Sequence, residues 1–217
     1  FDGKELENVL KSIDQINAAL GGHRVTVNGI EKLIKHSTEQ KFTVVDVGCG
    51  SGASLRKLAN WAENQSKQFE FIGVDANPEC INIAKNASTG YNNLSFQCIN
   101  VFSEEFKNIH VDVFISTLTL HHFKDKELIK LMRRLQQQAQ LGIIINDLQR
   151  SKVAYVLFKL YGFFFIRSKI AKHDGLISIL RGFTKQDFNN YAEQISITKH
   201  RVNWFWAFRY QLIIQNK

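Results

Sequence analysis

The sequence predicts a single α/β domain built on a doubly wound, mostly parallel sheet, and three observations support this prediction. Apolar runs of strand length alternate with helix-patterned segments after residue 40. The first run, Phe42–Val47, leads directly into a glycine-rich turn. The second run, Phe69–Val74, is followed by an acidic residue, Asp75. Strands that alternate with helices form parallel sheets, which bind ligands at the carboxyl ends of their strands.

The other elements follow the same alternation. After the glycine turn, Leu55, Leu58, Ala59 and Ala62 recur at the spacing of one helix face. Pro78 begins the next helix, because its missing N–H costs nothing in a first turn. Further strands are predicted at Leu94–Ile99, Val111–Ser116 and Gly142–Asn146, and a further helix at Lys126–Gln138.

Two regions depart from the repeat. An amphipathic N-terminal helix, with apolar residues from Leu6 to Leu20, ends at a pair of glycines. A long aromatic insertion follows the fifth strand, and Ile195–Val202 and Trp204–Gln215 look like two final strands. We therefore divide the single domain, residues 1–217, into an N-terminal helical appendage (1–40), a ligand-binding core (41–147), a lid or substrate insertion (148–190) and a terminal strand pair (191–217).

Composition fits one globular domain. The chain has 217 residues, 44% of them hydrophobic, and lacks an apolar run of transmembrane length. Its three cysteines show no Cys-x-x-Cys spacing, which favours a reducing compartment and argues against a zinc site. The chain begins at Phe1 rather than at a methionine and shows no signal peptide, so we expect a cytoplasmic protein and leave open what precedes Phe1.

The net charge of +8 suits RNA, a membrane surface or an acidic substrate equally well, and a solvated surface bias explains it too. No arginine-rich tract or aromatic RNA-binding signature supports nucleic acid, so we do not expect a nucleic-acid partner.

The glycine turn and the acid have a chemical explanation. Gly48, Gly50 and Gly52 lack a Cβ, so the chain can turn tightly and a ligand can approach the backbone. Glycines also occupy purely structural turns, so the turn alone is a weak signal. Asp75 lies 23 residues past Gly52, close to the spacing of about 20 expected for an acid that accepts hydrogen bonds from a ribose diol. This spacing favours the functional interpretation.

The segment Asp46–Gly52, Asp-Val-Gly-Cys-Gly-Ser-Gly, closely resembles the first motif of class I S-adenosylmethionine-dependent methyltransferases. Dinucleotide-binding proteins carry Gly-x-Gly-x-x-Gly instead. The resemblance covers about residues 40–147 motif by motif. It implies a methyltransferase enzyme, S-adenosylmethionine as its cofactor, and a Rossmann-like seven-stranded sheet with an antiparallel last strand.

The resemblance also implies roles for particular residues. Gly48, Gly50 and Gly52 would face the methionine part of the cofactor, and Asp46 would orient the turn or reach the amino group. Asp75 would bind the ribose hydroxyls. Asn100 stands where the family commonly has Asp, and its carbonyl can still accept from the adenine amino group. Carried over by position, the other cofactor residues are Cys49, Ala76, Val101, Ser116 and Thr117.

Three histidines are candidate bases, since methyl transfer to a hydroxyl needs positioning and removal of a proton. His121 and His122 follow the fourth strand, in a stretch that lacks the Asn/Asp-Pro-Pro-aromatic sequence of enzymes that methylate amino groups of nucleic acids. Alternatively, one of the pair caps a helix or packs beneath the cofactor. His173, beside Asp174, is the third candidate, and an exposed polar turn ended by Gly175 explains that pair equally well.

A narrower resemblance follows the fifth strand. Asn146–Ser151, His173–Ser178 and Arg181–Thr184 look like segments of bacterial methyltransferases of phenolic-lipid or polyketide biosynthesis, relatives of quinone-biosynthesis enzymes. This resemblance implies a hydrophobic small-molecule acceptor, methylated at a phenolic or quinol-type oxygen. Asp147 and Arg150 are the candidate substrate-binding residues, unless they form a structural pair.

The insertion is unusually aromatic. Val153–Arg167 is too short to span a bilayer and is flanked by lysines. This composition suits an apolar lid over the acceptor or a shallow contact with an anionic membrane, and a buried lid or homodimer interface is the alternative. A non-catalytic module that binds the cofactor and an RNA-modifying enzyme remain the other functional hypotheses.

Overall fold

A computed structural model describes residues 3–166 and 168–216 of the chain. The strands in these ranges are β1 (Lys41–Val47), β2 (Gln68–Asp75), β3 (Leu94–Cys98), β4 (Val113–Thr117), β5 (Gly142–Leu148), β6 (His200–Phe205) and β7 (Arg209–Gln215). They form one seven-stranded sheet in the order β3-β2-β1-β4-β5-β7-β6. The first five strands are parallel, and β7 runs antiparallel to both β5 and β6. The predicted fold class is therefore confirmed.

Helices cover both faces of this sheet. The helices in the described ranges are α1 (Gly3–Ala19), α2 (Gly22–Ile34), α3 (Ala53–Ala62), α4 (Pro78–Asn86), α5 (Asp125–Gln138), α6 (Lys152–Phe165), α7 (Lys169–Arg181) and α8 (Lys185–Gln194). Because side chains alternate along a strand, Val44 packs in one core with α2 and α3, and Val45 packs in the other with α5 and α8. Each face of the sheet thus has its own apolar core.

The N-terminal appendage contains two helices rather than the one that the sequence predicted. Gly21, with φ of 71°, ends the first helix, and α2 then packs against the sheet. Gly29 brings α2 close to β5, because a Cβ at this position would lie 2.7 Å from the Ile144 side chain. Helix α1 instead packs against the helices α2, α4 and α7.

The terminal strands differ from their predicted bounds. Trp204 and Phe205 belong to β6, and the chain reverses at residues 206–208. Ala207 and Phe208 have positive φ in this reversal, at 63° and 55°. No glycine, asparagine or proline marks it, so the continuous aromatic run concealed the turn. The predicted strand at Ile195–Val202 begins only at His200.

The insertion folds as α6 and α7, which pack against each other. His173 and Asp174 lie within α7, so their interpretation as an exposed turn was wrong. Gly175 sits where a Cβ would collide with the Phe158 ring of α6, so its function is to let the two helices approach. Among the described residues, no helix is both long and apolar enough to cross a bilayer.

Candidate active site

The turn between β1 and α3 is held firmly against its neighbours. The amides of Gly48 and Cys49 both donate to the carbonyl of Val74, at 2.9 and 3.1 Å. Gly48, with φ of 75°, has the Thr119 side chain where its Cβ would stand, so any side chain there would displace the loop after β4. The backbone of the turn is therefore fixed by the end of β2 on one side and by the loop after β4 on the other.

Asp75 ends β2 directly beside this turn. Its Oδ2 accepts a hydrogen bond from the Gly50 amide at 3.1 Å, and its Oδ1 accepts one from the Asn77 amide at 2.9 Å. The side chain is half-buried, and each carboxylate oxygen retains a further lone pair. The two oxygens can therefore each accept one more hydrogen bond, which the predicted role of Asp75 in ribose binding requires.

Asp46 lies two residues before the turn and is buried in the sheet, with 2% of its surface exposed. Its Oδ1 has no hydrogen-bond partner in the described part of the chain. Burial, and then the neighbouring Asp75, raise the pKa of this carboxyl to about 7. A cationic group binding beside Asp46 would satisfy the oxygen, so the site fits the ammonium of an amino-acid ligand.

The remaining predicted cofactor residues have mixed surroundings. Asn100 is exposed, and its Oδ1 accepts the Phe102 amide at 2.9 Å. Ser116 is buried and donates to the Val47 carbonyl at 3.1 Å, which ties β4 to β1. Burial raises the pKa of the Cys49 thiol, so this thiol stays protonated. Thr117 is half-buried with its hydroxyl 3.3 Å from that of Thr26, Val101 is buried, and Ala76 is exposed.

Helix α1 packs over the glycine turn. The Ser51 hydroxyl donates to Asp14 at 2.5 Å, and Leu10 lies 3.5 Å from the position that a Gly50 Cβ would take. Burial raises the pKa of Asp14. Ile13, on the same helix, lines a neighbouring cavity. The appendage therefore joins the glycine turn to this second site.

The second site is a cavity of about 660 Å³ beyond the carboxyl ends of β4 and β5. Its walls come from α1, α6, α7 and the reversal between β6 and β7, and include Leu118, Leu148, Leu157, Phe158, Tyr161 and Trp204. Polar side chains in the lining include His121, His122, Asp174, Ser178 and Arg209. Such a cavity suits a largely apolar ligand with a few polar groups.

His121 is the best-placed base. Its ring is buried, and its Nδ1 lies 2.7 Å from Oδ1 of Asp147. Asp147 also accepts the amides of Leu120 and Leu148, at 3.0 and 2.7 Å. Because the carboxylate accepts a hydrogen bond from Nδ1–H, Nε2 carries the lone pair, and it has no partner among the described residues. The arrangement presents an oriented proton acceptor in the cavity lining.

His122 also lines the cavity, and its ring centre lies 4.2 Å from that of His121. Desolvation, and then the adjacent His121, lower the pKa of His122, so this ring stays neutral at physiological pH. His122 is more exposed than His121 and has no carboxylate bonded to its ring. Of the two rings, His121 is therefore the one that a carboxylate orients.

Three predicted site residues have other positions than expected. His173 lies exposed on α7, outside the cavity lining, and its neighbour Asp174 lines the cavity instead. Asp147 lies within β5 and is fully buried rather than on the rim. Arg150 pairs with Asp187 at 2.7 Å, so the alternative Asp147–Arg150 pair does not form.

Arg209, the first residue of β7, lines the cavity and was not predicted. Only 1% of its surface is exposed. Burial lowers the pKa of its guanidinium to about 10, so Arg209 remains a cation at neutral pH. The sole sequence signal was a charged residue in a strand whose other residues are uncharged.

The sheet order, the glycine turn after β1 and the acid at the end of β2 together define a class I methyltransferase. The sequence family described as a methyltransferase domain matches residues 38–203. The chain therefore belongs to this methyltransferase family, and the prediction of a methyltransferase enzyme is confirmed. No curated protein matches the chain in sequence.

Solved structures share the fold over nearly the whole chain. An S-adenosylmethionine-dependent methyltransferase from Aquifex aeolicus is 15% identical, with a TM-score of 0.66 and 100% of both chains covered. The plantazolicin methyltransferase BamL, solved with a desmethylPZN analogue and S-adenosylhomocysteine, is 16% identical, with a TM-score of 0.73 over 97% of this chain and 91% of BamL. Magnesium protoporphyrin IX methyltransferase from Synechocystis PCC 6803, with bound S-adenosylmethionine, is 14% identical, with a TM-score of 0.58 over 93% of this chain and 82% of its own.

Proposed function

We propose that the protein methylates a phenolic or quinol-type oxygen of a hydrophobic small molecule. The observation that carries this proposal is the buried His121–Asp147 pair: His121 lines a largely apolar cavity, and its Nε2 has no hydrogen-bond partner among the described residues. An oxygen acceptor needs such a base, because a phenolic hydroxyl is a poor nucleophile until it loses its proton. The apolar walls favour an acceptor with a hydrocarbon part.

S-adenosylmethionine is the cofactor, in agreement with the family and with neighbours solved with it or with its demethylated product. When bound, it supplies an electrophilic methyl group on a sulfonium. Gly48–Gly52 would hold its methionine part, Asp46 its ammonium and Asp75 its ribose hydroxyls. We assign the adenine edge to Asn100, whose amide is exposed beside the end of β3.

The residues of the cavity have two roles, which are to position the acceptor and to accept its proton. The apolar walls hold the acceptor and exclude water, which makes the reaction effectively unimolecular. His121 Nε2 accepts the hydroxyl proton and leaves a nucleophilic oxygen. The imidazolium that forms is stabilised by the Asp147 carboxylate at 2.7 Å. No covalent intermediate with the protein is required.

A screen for methyl transfer tests this function. We expect alkylated phenols, resorcinols or quinols to gain one methyl group, detected by mass, and RNA to gain none. The Asp75→Ala variant should lose activity at low cofactor concentration, because each charge-assisted hydrogen bond to the ribose contributes about 1.5–3 kcal/mol. The dissociation constant for S-adenosylmethionine should rise at least about tenfold, measured by calorimetry.

Glu79→Ala is the matched control, because this exposed carboxylate at the start of α4 makes no contact with the turn. It should bind S-adenosylmethionine as the wild type does. Unchanged affinity in folded Asp75→Ala protein would refute the cofactor assignment. Methylation of RNA, with no phenolic product, would refute the acceptor class.

We further propose that α6 rests on an anionic membrane surface. Phe163, Phe164 and Phe165 are 75%, 72% and 72% exposed, far more than a buried lid would allow. Leu157 is 50% exposed and also lines the cavity, so the exposed apolar face is continuous with the acceptor site. Lys152 and Lys159 lie on α6 itself, and Lys169 and Lys172 lie on the neighbouring helix α7. Exposed aromatics with basic neighbours are typical of interfacial helices.

The double variant Phe163→Ser, Phe164→Ser should bind vesicles of phosphatidylserine and phosphatidylcholine at least about tenfold more weakly, because each aromatic ring contributes up to about 1.5–3 kcal/mol on burial. Co-sedimentation measures this loss. Methylation of a short, water-soluble acceptor should stay unchanged and serves as the control. Wild-type protein that binds no vesicles but forms a dimer disrupted by the double variant would show a homodimer interface instead.

A further inference from the structure

Arg209 is a buried cation on the wall of the acceptor cavity that the proposed mechanism does not use. Its Nη1 lies 3.5 Å from Oδ1 of Asn146, at the outer limit of a hydrogen bond. Its Nε is buried without a partner in residues 3–166 and 168–216. It forms no ion pair within the same ranges. The guanidinium therefore keeps unused donors beside the cavity.

Burial of an uncompensated charge is expensive, so this arrangement calls for an anion. Asp147 lies near enough to favour the charged guanidinium, but its carboxylate already accepts hydrogen bonds from His121 and two backbone amides. Asp174 also lines the cavity, yet it forms no ion pair with Arg209 in the described chain. Among residues 3–166 and 168–216, no carboxylate thus forms an ion pair with the free donors.

The surrounding structure fixes the guanidinium in place. Asn146 donates to the Gly22 carbonyl at 2.8 Å and to Thr26 at 3.1 Å, so its Oδ1 is held toward Arg209. A Cβ on Gly22 would lie 3.0 Å from Cζ of Arg209 and would collide with the Asn17 amide. Only glycine therefore leaves room for the guanidinium here. A rigid donor of this kind loses little entropy when it binds a ligand.

Arg209 and the proposed base, His121, lie at the same edge of the sheet. Because β7 runs antiparallel to β5, Arg209 pairs with Leu148 at the edge where β5 ends. His121 is bonded to Asp147, the residue before Leu148. The cation and the base thus flank the same end of one strand and face one cavity.

We propose that Arg209 binds a carboxylate on the acceptor, which is therefore an alkylated hydroxyaryl carboxylate rather than a neutral phenol. The proposal rests on the proposed function, since it assigns a second polar group to the same acceptor. The planar guanidinium matches a carboxylate with two parallel hydrogen bonds, which a lysine could not provide. With the carboxylate on Arg209, a hydroxyl on the same acceptor would be the group that His121 deprotonates.

Three acceptors test the proposal. They share one alkyl chain and one hydroxyl, and carry a carboxylate, a carboxamide or a hydrogen at the adjacent ring position. Binding is measured by calorimetry in the presence of S-adenosylhomocysteine, so the readout does not depend on turnover. We expect wild-type protein to bind the carboxylate about 10- to 100-fold more tightly than the carboxamide, as charge-assisted hydrogen bonds require.

Arg209→Gln should bring this ratio close to one, and Arg209→Lys should give an intermediate ratio, because it keeps the charge and loses the planar fork. Arg201→Gln is the matched control, since this arginine is exposed on β6, and it should keep the wild-type ratio. A phenolate rather than a carboxylate on Arg209 would instead give a preference for the more acidic phenols among uncarboxylated acceptors. That outcome overturns the proposal.

Equal binding of all three acceptors by wild-type protein overturns the proposal without any variant. Methylation of the three at equal efficiency would then leave the proposed function intact. Conversely, an Arg209-dependent preference for the carboxylate, with no methyl product from any acceptor, would support the anion site and refute the proposed reaction. Loss of folding in both Arg209→Gln and Arg209→Met would identify a structural cation and overturn the proposal, since removal of an unpaired buried charge should not destabilise the fold.

Discussion

The His121→Gln variant should lower kcat by about 10²- to 10⁴-fold, the range expected when a general base is lost. Glutamine keeps a hydrogen-bonding group near Asp147 but cannot accept the acceptor proton at neutral pH. His121 does not contact the glycine turn or Asp75, so the affinity for S-adenosylmethionine should stay near that of the wild type. Steady-state kinetics and calorimetry on the same preparation measure the two quantities.

His173→Gln is the matched control, because His173 lies exposed on α7 outside the cavity lining, and it should keep full activity. Asp147→Asn should also lower kcat, since an amide there can present N–H to Nδ1 and hold the ring in the wrong tautomer. Acceptors that ionise unaided near neutral pH should be less sensitive to His121→Gln. Full activity of His121→Gln toward weakly acidic phenols would leave positioning as the whole mechanism.

The cofactor half of the protein could be predicted from the sequence because its signals are local. Gly48, Gly50 and Gly52 all have positive φ, which their residue type allows and their spacing indicates. Pro78 begins α4 as the sequence predicted, and Asn77 before it caps the helix by accepting the Glu79 amide at 2.9 Å. Signals of this kind need no knowledge of the tertiary structure.

The acceptor half depends on contacts between distant segments. His121 and Asp147 were both candidates, but their contact arises only because β4 and β5 are neighbours in the sheet. The sequence suggested a pair of Asp147 with Arg150, three residues away, only as an alternative to substrate binding, and Arg150 pairs instead with Asp187 on α8. Arg209 went unrecognised because an arginine in a strand is ordinarily exposed, and only the antiparallel pairing of β7 with β5 buries it.

The N-terminal helix also combines a local feature that the sequence predicts with a tertiary contact that it does not predict. Its amphipathic pattern predicted α1, but not the surface that it covers. The Asp14–Ser51 hydrogen bond places it across the glycine turn, and Ile13 and Ile16 then help to enclose the cavity. An amphipathic pattern fixes which face is buried, and the partner of that face is a tertiary property.

The length of the acceptor's alkyl chain should govern catalytic efficiency. The cavity of about 660 Å³ has mainly apolar walls from α1, α6 and α7. Each buried CH₂ contributes about 0.8 kcal/mol, so kcat/KM should rise about fourfold per carbon, since 1.36 kcal/mol is a factor of ten. The rise should stop when the cavity is full. A homologous series of alkylated phenols, assayed for methyl product by mass, measures this dependence.

A cavity-filling substitution tests whether the alkyl chain of the acceptor occupies this cavity. Ala154 is buried in the cavity lining on α6, so Ala154→Leu should shorten the chain length at which the rise in kcat/KM stops. Ala87→Leu, at the exposed end of α4, adds the same volume outside the cavity and should leave that length unchanged. Equal kcat/KM for bare and alkylated phenols would place the chain outside the cavity. A rise that both variants leave unaltered would place it along the exposed face of α6, because burial there does not depend on the volume of the cavity.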